Sequence, residues 1–267
     1  MSPKRAAAIV LRQVYLLKGS PARVLPLFAW VAIDIVLWGF ITRYLSGISA
    51  PGAHLATTLL GAVLLWDFLT RVMQGVTMAF FEDVWSRNFL NIFATPLRIS
   101  EYLSGLVATA ICTSVLGLVV MLLVASLAFG LSVFSFGIAI VPFLVVLFLS
   151  GIALGILGAG IVLRLGPASE WLIWPIPTLI SPFVGVFYPI STLPGWMQAI
   201  SHALAPAYVF EGMRQVVAGH PAPMDKLALG AALAVLYLVL ACLFFARVHR
   251  YAIRTGLIAR YSAETVA

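Results

Sequence analysis

Residues Phe136 to Leu163 read FGIAIVPFLVVLFLSGIALGILGAGIVL, a stretch without one Asp, Glu, Lys or Arg. A hydrocarbon core roughly 30 Å thick needs about 20 residues of apolar helix per crossing. This stretch meets that length and is too apolar for the surface of a soluble domain. Gly151, Gly155 and Ala159 recur within it at four-residue spacing, with Gly158 and Gly160 beside them. Small residues so spaced let two helix backbones approach closely in lipid.

Working outward, further apolar runs lie near 25–45, 55–80, 103–129, 171–190 and 227–246. The whole chain follows the same pattern: 267 residues, 63% hydrophobic, 9% charged, mean hydropathy +1.09. Soluble domains carry about a quarter charged residues, so lipid is the solvent that fits. The expected fold is all-α and integral to the membrane, with six transmembrane helices. Pro26 is expected to open the first helix, where a missing N–H costs little. That first run follows a basic stretch and lacks a small-residue cleavage site, so it reads as an anchor rather than a removed leader. Cys112 and Cys242 fall within apolar runs and read as core residues, not a disulfide or metal pair.

Charge placement gives an orientation. Lys4, Arg5, Arg12, Lys18 and Arg23 precede the first run; Arg87, Arg98 and Arg164 lie in later loops of the same side; Arg247, Arg250, Arg254 and Arg260 follow the last. The opposite side holds Arg43, Arg214 and Lys226. The positive-inside rule then puts both termini in the cytoplasm of a multi-pass protein of the bacterial inner membrane. The net charge of +7 clusters at membrane edges rather than along an aromatic-laced stripe, which argues against nucleic acid and for anionic lipid.

Three segments carry polar chemistry. Asp34 lies in the first run and Asp67 and Arg71 in the second, at depths where an ionisable group must face protein or water. Asp67 and Arg71 are four apart and can pair on one helical face, which Gln74 continues. The strip either lines a translocation path or holds helices together. The stretch Phe81–Arg98, FEDVWSRNFLNIFATPLR, places Phe89, Ile92 and Phe93 on one face of a short amphipathic helix. Such a helix can dock in a partner's groove or rest on headgroups. From Trp174 to Pro194, five prolines oppose a continuous helix. Broken backbone at membrane depth survives only against protein or a water-filled cavity. Residues 194–203 and 206–218 then read as two short pieces unable to span.

Catalytic signatures are missing. None of Lys4, Lys18 and Lys226 follows a glycine, so no phosphate-binding Gly-Lys pair exists. The four histidines form no metal set, and no nucleophile elbow occurs. No catalytic residue and no metal site is therefore expected, and any ATP-driven cycle needs a motor on another chain.

Three parts of the chain resemble the permease subunit of ABC-2-type ABC exporters: the basic N-terminal segment, Thr95-Pro96-Leu97-Arg98 followed by Glu101-Tyr102-Leu103-Ser104-Gly105, and Phe187-Tyr188-Pro189-Ile190-Ser191-Thr192-Leu193-Pro194-Gly195-Trp196 running on to Ala205-Pro206-Ala207-Tyr208 and Glu211-Gly212-Met213-Arg214. Ala205 stands where the family often has Asn. The resemblance implies a cytoplasmic N-terminal interfacial helix over 1–23, a transmembrane domain over 24–246 and a basic tail over 247–267. It implies a coupling helix between the second and third spans, carrying Arg87, Asn91, Thr95, Pro96 and Arg98. It places short re-entrant helices between the fifth and sixth spans, with Tyr188, Pro189, Pro194, Trp196, Glu211 and Arg214 in that outer region. Two cytoplasmic ATPase subunits binding ATP and Mg, and a second permease copy or a paralogue, are the implied partners. A transporter or channel working alone through Asp34, Asp67 and Arg71 is the alternative from the residues themselves.

Overall fold

The computed structural model describes residues 2–48, 55–86, 89–130, 137–138 and 140–257. Its long helices are α1 (Pro3–Lys18), α2 (Pro21–Ile48), α3 (Leu55–Trp85), α5 (Ile99–Phe129), α6 (Ile140–Leu165) and α10 (Met224–Arg254). Short helices fill the connections: α4 (Phe89–Ala94), α7 (Ile176–Val184), α8 (Gly195–Ala203) and α9 (Ala205–Val217). No strand occurs among the described residues. Among them, the helices over Thr58–Trp85, Ile99–Phe129, Ile140–Leu165 and Met224–Arg254 are long and apolar enough to cross a membrane.

The opening stretch explains how the bundle closes. α6 sits between α3 and α10, and α5 covers the other flank of α3, with α2 against both. A Cβ added to Gly151 would come within 2.7 Å of Val72 Cβ, and one on Gly155 equally close to Val76 Cβ. The expected small-residue approach is therefore the α3–α6 contact. Gly160 instead makes room for Phe244 of α10, and Gly158 for Ile173. One glycine-rich helix serves three neighbours.

The outside of the bundle is apolar. Leu116, Val119, Leu123 and Leu127 on α5, and Val235, Leu236, Val239, Leu240 and Leu243 on α10, are all exposed. In water such surface would drive aggregation; against acyl chains it costs nothing.

Two boundaries differ from expectation. α2 starts at Pro21, so Pro26 lies inside the helix rather than opening it. Pro21 takes the first-turn place, where an unpaired N–H would have been spare. α10 runs past residue 246 through Arg254, carrying Arg247, Arg250 and Arg254 on a helix instead of a separate tail.

The run 171–190 is not one crossing helix. It divides into a 3-10 turn (Pro167–Leu172), the nine-residue α7, an irregular link and a second turn (Ile190–Thr192). At 1.5 Å per residue α7 covers about 14 Å, less than half the hydrocarbon thickness. Pro175 precedes α7, Pro177 occupies its first turn, and Gly185, at φ 65°, closes it in a left-handed conformation open to glycine at little cost. The segment still joins the two ends of the bundle. Trp85 Nε1, where α3 finishes, donates to Glu170 at 2.9 Å. Ile190 N donates to Glu211 of α9 at 2.7 Å, and α9 packs by Gly212 on Phe143 where α6 begins. The Arg164 guanidinium lies 4.1 Å from the centre of the Tyr251 ring, so α10 finishes at the end where α6 finishes and α1 lies.

Candidate functional site

Polar chemistry concentrates at three levels. The first is the end where α3 finishes and α5 starts. α1 carries Arg5 and Arg12 seven residues apart, hence on one side of the helix two turns from each other. Arg12 pairs with Asp83, whose carboxylate is fully buried and also accepts from Tyr102 Oη at 2.8 Å. Arg5 Nη1 donates to the Pro96 carbonyl at 2.5 Å and reaches Glu101 at 3.4 Å. Glu101 further accepts the backbone N–H groups of Ser2, at 2.6 Å, and Arg98, at 3.0 Å. An acid three residues into a helix satisfies donors that the helix cannot satisfy itself. Charge-assisted bonds of this kind are about twice as strong as neutral ones. Between the pairs, Ile9 seats on Gly105, where any Cβ would meet it at 2.6 Å, and Gln13 Nε2 donates to the Ala79 carbonyl at 3.4 Å. α1 is thereby clamped to α3, to the loop before α5, and to α5 itself.

The loop residues expected to form a coupling element fall around this clamp. The short helix expected there is α4, with Ile92 buried and Asn91 exposed. Thr95 Oγ1 donates to the Ile92 carbonyl at 2.6 Å and closes the helix. Pro96 supplies the carbonyl held by Arg5, and the exposed Arg98 caps α5 through its backbone. Arg87 lies outside the described residues. The sequence reading missed Arg5, Arg12, Asp83, Glu101 and Tyr102 as a unit. Its available signal was the seven-residue Arg spacing facing two acids that bracket one loop.

The second level lies midway along the bundle. Asp34 of α2 faces Asp67 of α3, and Arg71 interacts with Asp67 from one turn further on. The expected direct Asp67–Arg71 ion pair is not closed: Asp67 Oδ2 and Arg71 Nε are buried without a hydrogen-bond partner. Gly117 of α5 is the reason. Arg71 lies across it so closely that a Cβ there would sit 2.4 Å from Arg71 Cδ. Gln74 is exposed and opens on a shallow groove shared with Met73, Thr77, Met78, Phe81, Ile173, Trp174 and Pro177. Asp34, Asp67 and Arg71 therefore form one group, and Gln74 belongs to the neighbouring groove.

The third level is the opposite end. Glu211 Oε1 accepts from Ile190 N and from Arg214 Nη2 at 3.0 Å, while Arg214 Nη1 donates to the Gly185 carbonyl at 2.8 Å. Tyr188 Oη donates to the Pro182 carbonyl at 2.8 Å, Ser201 Oγ to the Phe183 carbonyl at 2.5 Å, and Tyr237 Oη to the Ala203 carbonyl. Backbone groups freed by the prolines are thus satisfied by side chains. Pro189 and Pro194 precede the second 3-10 turn and α8, and Trp196 stands exposed on α8 with its edge toward Phe183. α2 reaches this region through Trp38, which stacks on Phe187 at 4.9 Å.

Cys112 and Cys242 are free thiols, and no group of three or more His, Cys, Asp and Glu able to hold a metal occurs among the described residues. No protein-family model matches the chain, and no curated protein matches it.

Proposed function

We propose that this chain is the transmembrane permease half of an ATP-driven exporter of the ABC-2 type. It would cross the bacterial inner membrane six times with both termini cytoplasmic, the fifth crossing being the broken segment. The observation that carries the reading is the clamp of α1. Arg5 holds the carbonyl of Pro96, Glu101 caps α5, and Arg12 holds Asp83 near the end of α3. A push on the α4 loop would therefore be delivered to two long helices at once. A partner ATPase, holding ATP and Mg itself, would press on Asn91, Thr95, Pro96 and Arg98 (and Arg87), with two such subunits serving two permease chains. The cargo would be amphipathic or lipid-linked and enter sideways from the membrane, a route that the apolar exterior of α5 and α10 suits. No catalytic step falls to this chain.

Replacing residues 87–98 by a Gly/Ser linker tests this. Loss of both ATPase co-purification and export, with the membrane domain still folded, is the expected result. Retention of both sinks the reading.

A second reading, a transporter or channel acting alone, draws on the unpartnered Asp67 Oδ2 and Arg71 Nε. Buried polar atoms need a partner, and a passing ion would be one. The purified chain conducting in vesicles without any ATPase is the outcome that would favour it.

A further inference from the structure

α1 has a second face that the clamp does not use. Its four cations divide by type: Arg5 and Arg12 pair with Glu101 and Asp83, while Lys4 and Lys18 are exposed and have no ion-pair partner among the described residues. Lys4, Leu11 and Lys18 are spaced by seven, so they lie on one line along the helix. Val14 and Tyr15 flank that line, and Leu11, Val14 and Tyr15 are 54%, 48% and 65% exposed. The helix contains no acid to neutralise the lysines. It is therefore an apolar stripe with a cation at each end, about 21 Å apart at 1.5 Å per residue.

Depth follows from the covalent and packed neighbours. Lys18 is three residues before Pro21, where α2 starts, and the inward face of α1 rests on the first two turns of α5 through Glu101 and Gly105. α1 thus lies at the level where two long apolar helices begin. Leu25, one turn into α2, is also exposed and extends the stripe onto the bundle's apolar exterior. Arginine suits fixed, bidentate partners, whereas lysine is a mobile point charge on a flexible stem. Such a stem can bury its methylenes while its ammonium reaches a headgroup.

We propose that this outward face binds anionic phospholipid, with Leu11, Val14 and Tyr15 among the upper acyl carbons and Lys4 and Lys18 on phosphate groups. The inference rests on the membrane reading of the chain and not on the exporter reading, so failure of ATPase association leaves it standing. Charge and an apolar stripe continuous with the bundle's exterior choose lipid over a protein partner. A lysine near an anionic surface strengthens association about fivefold.

The test uses the full chain with Cys112→Ala and Cys242→Ala and an environment-sensitive fluorophore on Leu11→Cys. It is placed in neutral-detergent micelles doped with phosphatidylglycerol or, separately, phosphatidylcholine. Emission should move to the blue with phosphatidylglycerol only, and high salt should reverse it. Lys4→Gln and Lys18→Gln should each raise the phosphatidylglycerol fraction for half the shift about fivefold. Lys4→Arg and Lys18→Arg should restore the response, which separates charge from folding. Equal response to both lipids, or glutamine variants matching the parent, overturns the proposal. A probe that stays water-exposed in both lipids marks a protein-docking face and overturns it as well.

Discussion

The two ends of the bundle solve different problems with similar residues. At the α1 end, Arg12–Asp83 and Arg5–Glu101 join side chains of separate helices, up to 96 positions apart in sequence. At the other end, Arg214, Glu211, Tyr188 and Ser201 spend their hydrogen bonds on backbone of the proline-broken segment. The first arrangement is a joint between elements; the second gives a loop its shape. Between them, Asp67 and Arg71 each keep one buried atom that bonds to nothing in the chain. Polar residues thus connect at one end, sculpt at the other, and stay uncommitted in the middle.

Breaking the joint should have the largest effect. Asp83→Ala leaves Arg12 without its counter-ion and takes the acceptor from buried Tyr102, and removing one partner of a buried pair costs about 3 kcal/mol. Thermal unfolding in detergent should register that loss, and hydrogen exchange should rise across α1. Breaking the sculpted loop should matter less. Arg214→Ala frees the Gly185 carbonyl and costs about 2 kcal/mol, with faster exchange confined to 185–193. If instead α1 loosens there too, the two ends are not independent. A smaller effect is expected from Arg5→Ala, whose side chain is 44% exposed: its melting shift should fall below that of Arg12→Ala. The smallest stability change belongs to the middle. Arg71→Met exchanges a cation that keeps one buried nitrogen unbonded for an apolar chain of similar reach, so its melting shift should be the smallest of the series. Transport should nevertheless be lost, and full transport by this variant would make Arg71 a structural residue.

What was legible in the sequence is what depends on near neighbours. The apolar lengths, the glycine spacing of α6, the short helices α4, α8 and α9, and the proline-broken stretch all follow from local periodicity and backbone restriction. What stayed hidden depends on which helix lies against which. Asp67 and Arg71 four apart imply a pair, but the nearest carboxylate to Asp67 comes from α2, and Gly117 of α5 gives Arg71 somewhere else to lie. Likewise nothing near Arg5 or Arg12 in sequence announces Glu101 or Asp83. Pro26 was misleading because two prolines competed for one helix start, and the earlier one took it.

The passage from Glu170 to Ile190 is tied at each end by a hydrogen bond, to Trp85 and to Glu211, and is α-helical over only nine of its residues. A residue advances the chain about 1.5 Å in a helix and about 3.3 Å when extended. Each residue that winds onto or off α7 therefore changes the span between the two ties by roughly 1.8 Å. The reach between the two ties therefore depends on how many of these residues are wound into α7.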